Sequence, residues 1–174
     1  MACTQTLSGL AADCAGNIGG IKNVYLANFA DVASKTVTTD QISAITMAST
    51  AKFKKYAFKR GTGSMSSTLN VDATAGTNFV STDLVLQFNR METTKRVEMT
   101  ALAQGELVAI VEDMNGKFWY LGNDEPVSAS AGDGQTGTAR SDGNRYTLTL
   151  QDVSSTWPIE IASTVITTDI IDTI

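Results

Sequence analysis

Apolar residues in this 174-residue chain recur with a period of two, and that period limits what the chain can fold into. Leu84, Leu86 and Phe88 alternate with Val85 and Gln87. Tyr146, Leu148 and Leu150 alternate with Thr147 and Thr149, and Trp157, Ile159 and Ile161 with Pro158 and Glu160. Side chains on a strand point to opposite faces in turn, so each run offers one face to a core. Strands are predicted at about 21–29, around 42–47, and at 65–71, 78–88, 107–112, 117–121, 145–150 and 157–161. Pro158 places the last of these at a strand start or a sheet edge.

Two turn signals join these strands. Met114-Asn115-Gly116 lies between LVAIVE and KFWYL, and Asn-Gly tolerates the positive φ angles of a type I′ hairpin. Asp142-Gly143-Asn144 predicts a second hairpin over 137–150. A helical pattern occurs once, at about 92–104, with Gly105 placed to end it in the left-handed conformation. Val97, Ala101 and Leu102 are its expected buried stripe, with Lys95, Arg96 and Glu98 in water. The expected fold is therefore mainly β: an antiparallel β-sandwich or small barrel with one flanking α-helix. Residues 1–20 read as a glycine-rich arm, 21–162 as the β-sandwich domain, and 163–174 as a β-prone tail. Left free, such a tail invites aggregation, so it is expected to pair with its own domain or with a neighbour.

Composition narrows function more than fold. The chain has no histidine and two cysteines, Cys3 and Cys14. Histidine is the commonest general base and metal ligand, so its absence disfavours most enzyme mechanisms. The cysteines are expected as reduced thiols, although a disulfide between them is geometrically possible. No apolar run approaches a membrane span, and the opening MACTQTL lacks a basic region followed by an apolar stretch, so no secretory signal is expected. Gly132-Asp133-Gly134-Gln135-Thr136-Gly137 matches GxGxxG by letter. That motif needs a preceding strand and a following helix, and the reading here is a flexible glycine loop. The acidic residues are too sparse for a calcium loop. No catalytic residue, cofactor, metal or small-molecule substrate is expected. Phe118, Trp119 and Tyr120 read as core on both faces of a sheet.

Net charge is −5, unevenly placed. Residues 1–111 carry +2 and residues 112–174 carry −7, which disfavours a cationic nucleic-acid face. Asp124, Glu125, Asp133 and Asp142 form a candidate acidic loop surface. Five basic residues, Lys52, Lys54, Lys55, Lys59 and Arg60, crowd into KFKKYAFKR. The run reads as an edge strand, or as a strand facing another subunit or a capsid.

Three stretches carry a resemblance: CTQTLSGLAADCAGNIGGIKNVYLANF, NRMETTKRVEMTALAQGELVAIVEDMNGKFWYLG and SASAGDGQTGTARSDGNRYTLTLQDVSSTWPIEI. They cover about half of the chain and resemble small virion structural proteins of tailed bacteriophages of gut Bacteroidales, crAss-like phages included. The order of elements also resembles the tail-tube fold, a β-sandwich with one flanking helix that assembles into hexameric rings. The resemblance implies a non-enzymatic subunit made in a host bacterial cytoplasm and residing in the virion. Its partners would be copies of itself and other virion proteins, with no cofactor, no membrane and no specific nucleic acid. A tail-tube subunit and a capsid auxiliary protein are both open, because no long charge-rich loop for stacking rings stands out. The alternative class is a free-standing β-sandwich binding module, for instance for carbohydrate, with Trp119, Tyr120 and Trp157 stacking on sugar faces.

Overall fold

The computed structural model describes residues 7–12, 14–167 and 169–172. Its strands are β1 (Ile21–Asn28), β2 (Val32–Thr38), β3 (Gln41–Met47), β4 (Phe53–Tyr56), β5 (Ser64–Asp72) and β6 (Thr77–Asn89). Helix α1 (Thr93–Gln104) is followed by β7 (Leu107–Asp113), β8 (Phe118–Leu121), β9 (Ser128–Gln135), β10 (Arg145–Ser154), β11 (Ile159–Ile161) and β12 (Ile171–Asp172). The chain is mainly β with a single α-helix among the described residues, as its period of two predicts.

The strands form two sheets. Eight of them, in the order β12-β4-β1-β7-β8-β11-β3-β2, make an open, curled half-barrel. Four, in the order β5-β6-β10-β9, make a smaller sheet that is antiparallel throughout. Strand β7 sits centrally in the large sheet and is buried on both faces. Leu107, Ala109 and Val111 join the core between the sheets, with Leu84, Leu86, Leu148 and Leu150 opposite. Val108 and Ile110 turn the other way, into a second core with Ile42, Phe53 and Tyr120. That second core joins strands from opposite ends of the sheet, which is why the sheet must curl. Alternation in KFWYL supplies both cores: Trp119 packs toward the first, Phe118 and Tyr120 toward the second.

Several local expectations are corrected. The turn after β7 is closed by Gly116 N–H to the Asp113 carbonyl at 3.2 Å. Only Gly116 has positive φ there, so it is a turn followed by a left-handed glycine rather than a type I′ turn. The two-residue turn with both φ angles positive lies at Thr39 (52°) and Asp40 (62°), between β2 and β3, where no glycine marks it. Gly132–Gln135 are not a loop but the end of β9. The Asp142-Gly143-Asn144 segment is part of a longer connection from β9 to β10, not a tight turn. Asp142 organises it by accepting the N–H groups of Thr138 and Ala139 at 2.8 and 2.7 Å.

The helix lies where expected, but its inward stripe is Lys95, Met99 and Leu102, and Val97 is 55% exposed. With so few apolar residues its sequence does not fix its rotation; Leu102, which reaches the core, does. Gly105 ends the helix with φ −83°, in extended backbone. Its missing Cβ instead allows the close approach of Leu107, whose Cδ2 would lie 3.0 Å away.

The basic run is corrected as well. It contributes the short strand β4, which is not an edge, because β1 pairs on one side and β12 on the other. The tail folds back to make that pairing, with Lys54 Nζ 2.5 Å from Asp172. Phe53 is fully buried, since its alternation faces it into the second core.

Candidate functional site

The small sheet differs from the large one in how its edges end. The large sheet closes with β12, two residues long, and with β2, which has two register shifts and a lysine. Short, irregular or lysine-bearing edges resist pairing with other chains. The small sheet ends in β5 (SMSSTLNVD) and β9 (SASAGDGQ), nine and eight residues long. Neither contains lysine, arginine or proline. Both are regular apart from one shift between β9 and β10, and both are largely exposed. Each carries one aspartate and β9 one register shift, less protection than the large sheet's edges have, and a long, lightly protected edge is a template for another strand.

Alternation gives this sheet two unlike faces. The inner face carries Leu84, Leu86, Leu148 and Leu150. The outer face, by register, carries Ser64, Ser66, Thr68 and Asp72 of β5, Phe79, Ser81, Asp83 and Val85 of β6, Arg145, Thr147, Thr149, Gln151 and Val153 of β10, and Ala131 and Asp133 of β9. Gln151 Nε2 donates to Asp83 at 3.0 Å. The result is a surface of mostly small, uncharged side chains, interrupted by the exposed Phe79 and Val153.

The residues proposed from sequence do not gather at one place. Lys54 pairs with Asp172, while Lys59 lies in the turn after β4, where its carbonyl accepts from the Thr62 N–H and hydroxyl at 3.1 and 2.6 Å. Arg60 is exposed beside it, and Lys55 stands opposite Tyr25 of β1. Lys52 precedes the strand. Of the four acidic residues only Asp133 lies on the sheet's outer face. Asp142 holds its own loop, and Glu125 is exposed in the connection before β9. Asp124 accepts from Ser154 and Ser155 hydroxyls at 3.1 and 2.6 Å and from the Ser155 N–H at 2.7 Å, which hold its carboxyl below the usual range.

Two ionisable groups sit near that junction. Asp152 is 2% exposed and accepts from Gly122 N–H at 3.1 Å; burial raises its pKa. Lys35 donates to the Asn123 carbonyl at 2.8 Å and lies 5.0 Å from the Tyr120 ring centre, and burial lowers its pKa. Glu112, also buried, accepts from Lys22 at 2.6 Å and Asn23 at 2.5 Å. These contacts tie strands and turns together. Among the described residues no group of three or more His, Cys, Asp or Glu could hold a metal ion, and no helix is long and apolar enough to cross a membrane.

Several open clefts lie on the surface, three of them large. One of about 490 Å³ runs between α1 and β9, lined by Met99, Ala103, Ala129, Gly132, Tyr146 and Leu148. Another, of about 470 Å³, lies between α1 and β4, where the Tyr56 hydroxyl donates to Glu98. The third, of about 770 Å³, is flanked by Trp119 and Trp157, the latter 54% exposed. Tyr120 is buried in the second core and cannot join these two in stacking on a ligand. No protein-family model matches the chain, and no curated protein or solved structure matches it either. Sequence reading missed the open-edged sheet because β9 is rich in Gly, Ala and Ser and has almost no alternating apolar signal.

Proposed function

We propose that this chain is a non-enzymatic structural subunit of a bacteriophage virion that assembles with copies of itself through the edges of its small sheet. The observation that carries the reading is the pair of long, lightly protected edges, β5 and β9, on a molecule that guards the edges of its other sheet more heavily. Strand directions alternate across β5-β6-β10-β9, so β5 of one copy meets β9 of the next antiparallel in a head-to-tail array. Strand β5 is centred opposite Ser81 of β6, whereas β9 is level with Val85 and Leu86. Aligning them therefore staggers successive copies by about four to five residues per four strands, a tilt of roughly 40° and within the range of closed barrels.

The outer face favours a tube-like subunit over a capsid auxiliary protein. A channel for DNA works with a neutral or acidic lining, because clustered lysines would hold phosphates. Among the residues of that face within the sheet, the charges are Asp72, Asp83 and Asp133 against Arg145. Electron microscopy of concentrated protein tests this: rings with the small sheet lining an open centre are expected, and mass spectrometry of purified virions should detect the chain. A strictly monomeric protein at high concentration would overturn the assembly reading. The cleft beside Trp119 and Trp157 favours the second reading, a carbohydrate-binding module, and saturable glycan binding by a persistent monomer is the outcome that would establish it.

A further inference from the structure

We propose that the groove between α1 and β9 is a receptor for Leu69 and Val71 of a second copy. The inference rests on the edge-to-edge reading and adds to it the side chains that give the contact its specificity.

The two halves of the match lie on opposite edges of one sheet. Leu69 and Val71 stand on β5 opposite Val80 and Asn78, on the inner side of the sheet. Beyond the core that face is uncovered, leaving Leu69 46% and Val71 65% exposed. At the other edge, the groove has β9 as its floor and α1 as its roof, with Met99, Ala103 and Leu148 as apolar walls. Continuing the antiparallel order from β9 into the β5 of a neighbour carries that neighbour's inner face along the same groove. The stagger that centres the two strands on each other places Leu69 within the 129–132 stretch of β9.

Gly132 is the residue that the fold of one copy does not explain. It lies opposite Leu148, with its α-carbon toward the groove, and its φ is not positive. An added Cβ would meet only the Thr147 carbonyl oxygen at 3.8 Å and Leu148 Cδ1 at 4.0 Å, both ordinary contacts. Gly134 differs: its Cβ would lie 2.9 Å from the Tyr146 ring, so packing within the subunit already requires glycine there. A strand glycine with no internal reason marks a place where something else comes close. Here the match is a neighbour's leucine.

The test compares the wild-type chain with Gly132→Leu, which fills the groove, and with Leu69→Ser/Val71→Ser, which removes the side chains it would receive. Light scattering after gel filtration reads assembly, and circular-dichroism melts read folding. Both variants should melt within a few degrees of wild type and need at least tenfold more protein for half-assembly. Gly132→Ala, a smaller intrusion, should shift assembly in the same direction by less. Mixed in equal amounts, the two blocked variants retain one working surface each and should give one-to-one dimers by native mass spectrometry. Wild-type assembly with either folded variant assembling equally well would overturn the groove but leave edge pairing standing. So would a mixture no different from its components. A wild-type chain that never assembles would overturn both.

Discussion

Edge pairing makes a quantitative prediction about charge at two exposed positions. Thr68 lies at the middle of β5 and Ala131 near the middle of β9, both pointing to the outer face. In the staggered antiparallel array they fall opposite or diagonal to one another across the junction, with Cβ atoms about 5–8 Å apart. Thr68→Lys with Ala131→Lys puts two ammonium groups roughly 6 Å apart at each junction. At an effective dielectric constant of about 40 their repulsion is ~1.4 kcal/mol, a factor of about ten in the junction's association constant. Thr68→Glu with Ala131→Lys reverses the sign, so the two double variants should differ by about a hundredfold at low salt. Neither change touches the core, and natural sheet edges carry lysine, so folding stability should move by no more than ~0.5 kcal/mol. Sedimentation velocity over a concentration series reads the difference. Raising salt to about 1 M shortens the screening length to ~3 Å and should nearly erase it. Equal assembly of the two variants at low salt, with both folded, would refute edge pairing at this place.

Asp40→Gly should stabilise the fold by about 0.5–1 kcal/mol, raising the melting temperature by ~1–4 °C, because a left-handed residue other than glycine is strained and Asp40 has φ 62°. Phe53→Ala should cost about 3–5 kcal/mol in a urea titration, since Phe53 is wholly buried although its neighbours in sequence are lysines. Asp152→Asn should stabilise the protein at pH 7. Burial raises the folded-state pKa, so the wild type loses stability as pH rises through the interval between its unfolded and folded pKa values, and melts of the two proteins should converge as pH falls below that interval.

Much of the fold was legible because most strands carry their own period. The alternation of Leu84, Leu86 and Phe88, and of Tyr146, Leu148 and Leu150, follows burial against the opposite sheet, and β6 pairs with β10 along its length. KFWYL likewise showed that its sheet carries a core on each face. The misses share a physical cause: local chemistry was overruled by partners distant in sequence. Lysines suggested an edge at β4, but β12, more than a hundred residues later, covers that side. Glycines suggested a loop at 132–137, but β10 holds 132–135 in a ladder. The helix end read from Gly105 was in place, yet its reason was packing on Leu107 rather than backbone handedness. The candidate site was least legible, since an open edge is defined by a missing neighbour and no residue spells that out.

The charge asymmetry of the sequence takes a more dispersed form in the folded chain. The −7 balance of residues 112–174 suggests a single acidic loop surface. In the structure many of those carboxylates are fixed by local tasks. Asp113 accepts the N–H groups of Asn115 and Lys117 in a turn, Asp142 holds a loop, and Asp124 holds the end of β10. Glu160 pairs with Lys117 at 2.7 Å, Asp172 with Lys54, and Asp152 and Glu112 are buried. Their charge is spread over turns and strand ends instead of lining one face. The outer side of the small sheet is instead mostly uncharged, set with serine, threonine, glutamine and the apolar Phe79, Val85 and Val153, and its charges are Asp72, Asp83 and Asp133 against Arg145. For a surface that DNA must pass, a sparse and mildly acidic lining serves, because it offers no cluster of cations to hold phosphates. The tube-like reading therefore draws its support from a sparsely charged, mildly acidic face, not from the acidic excess of residues 112–174.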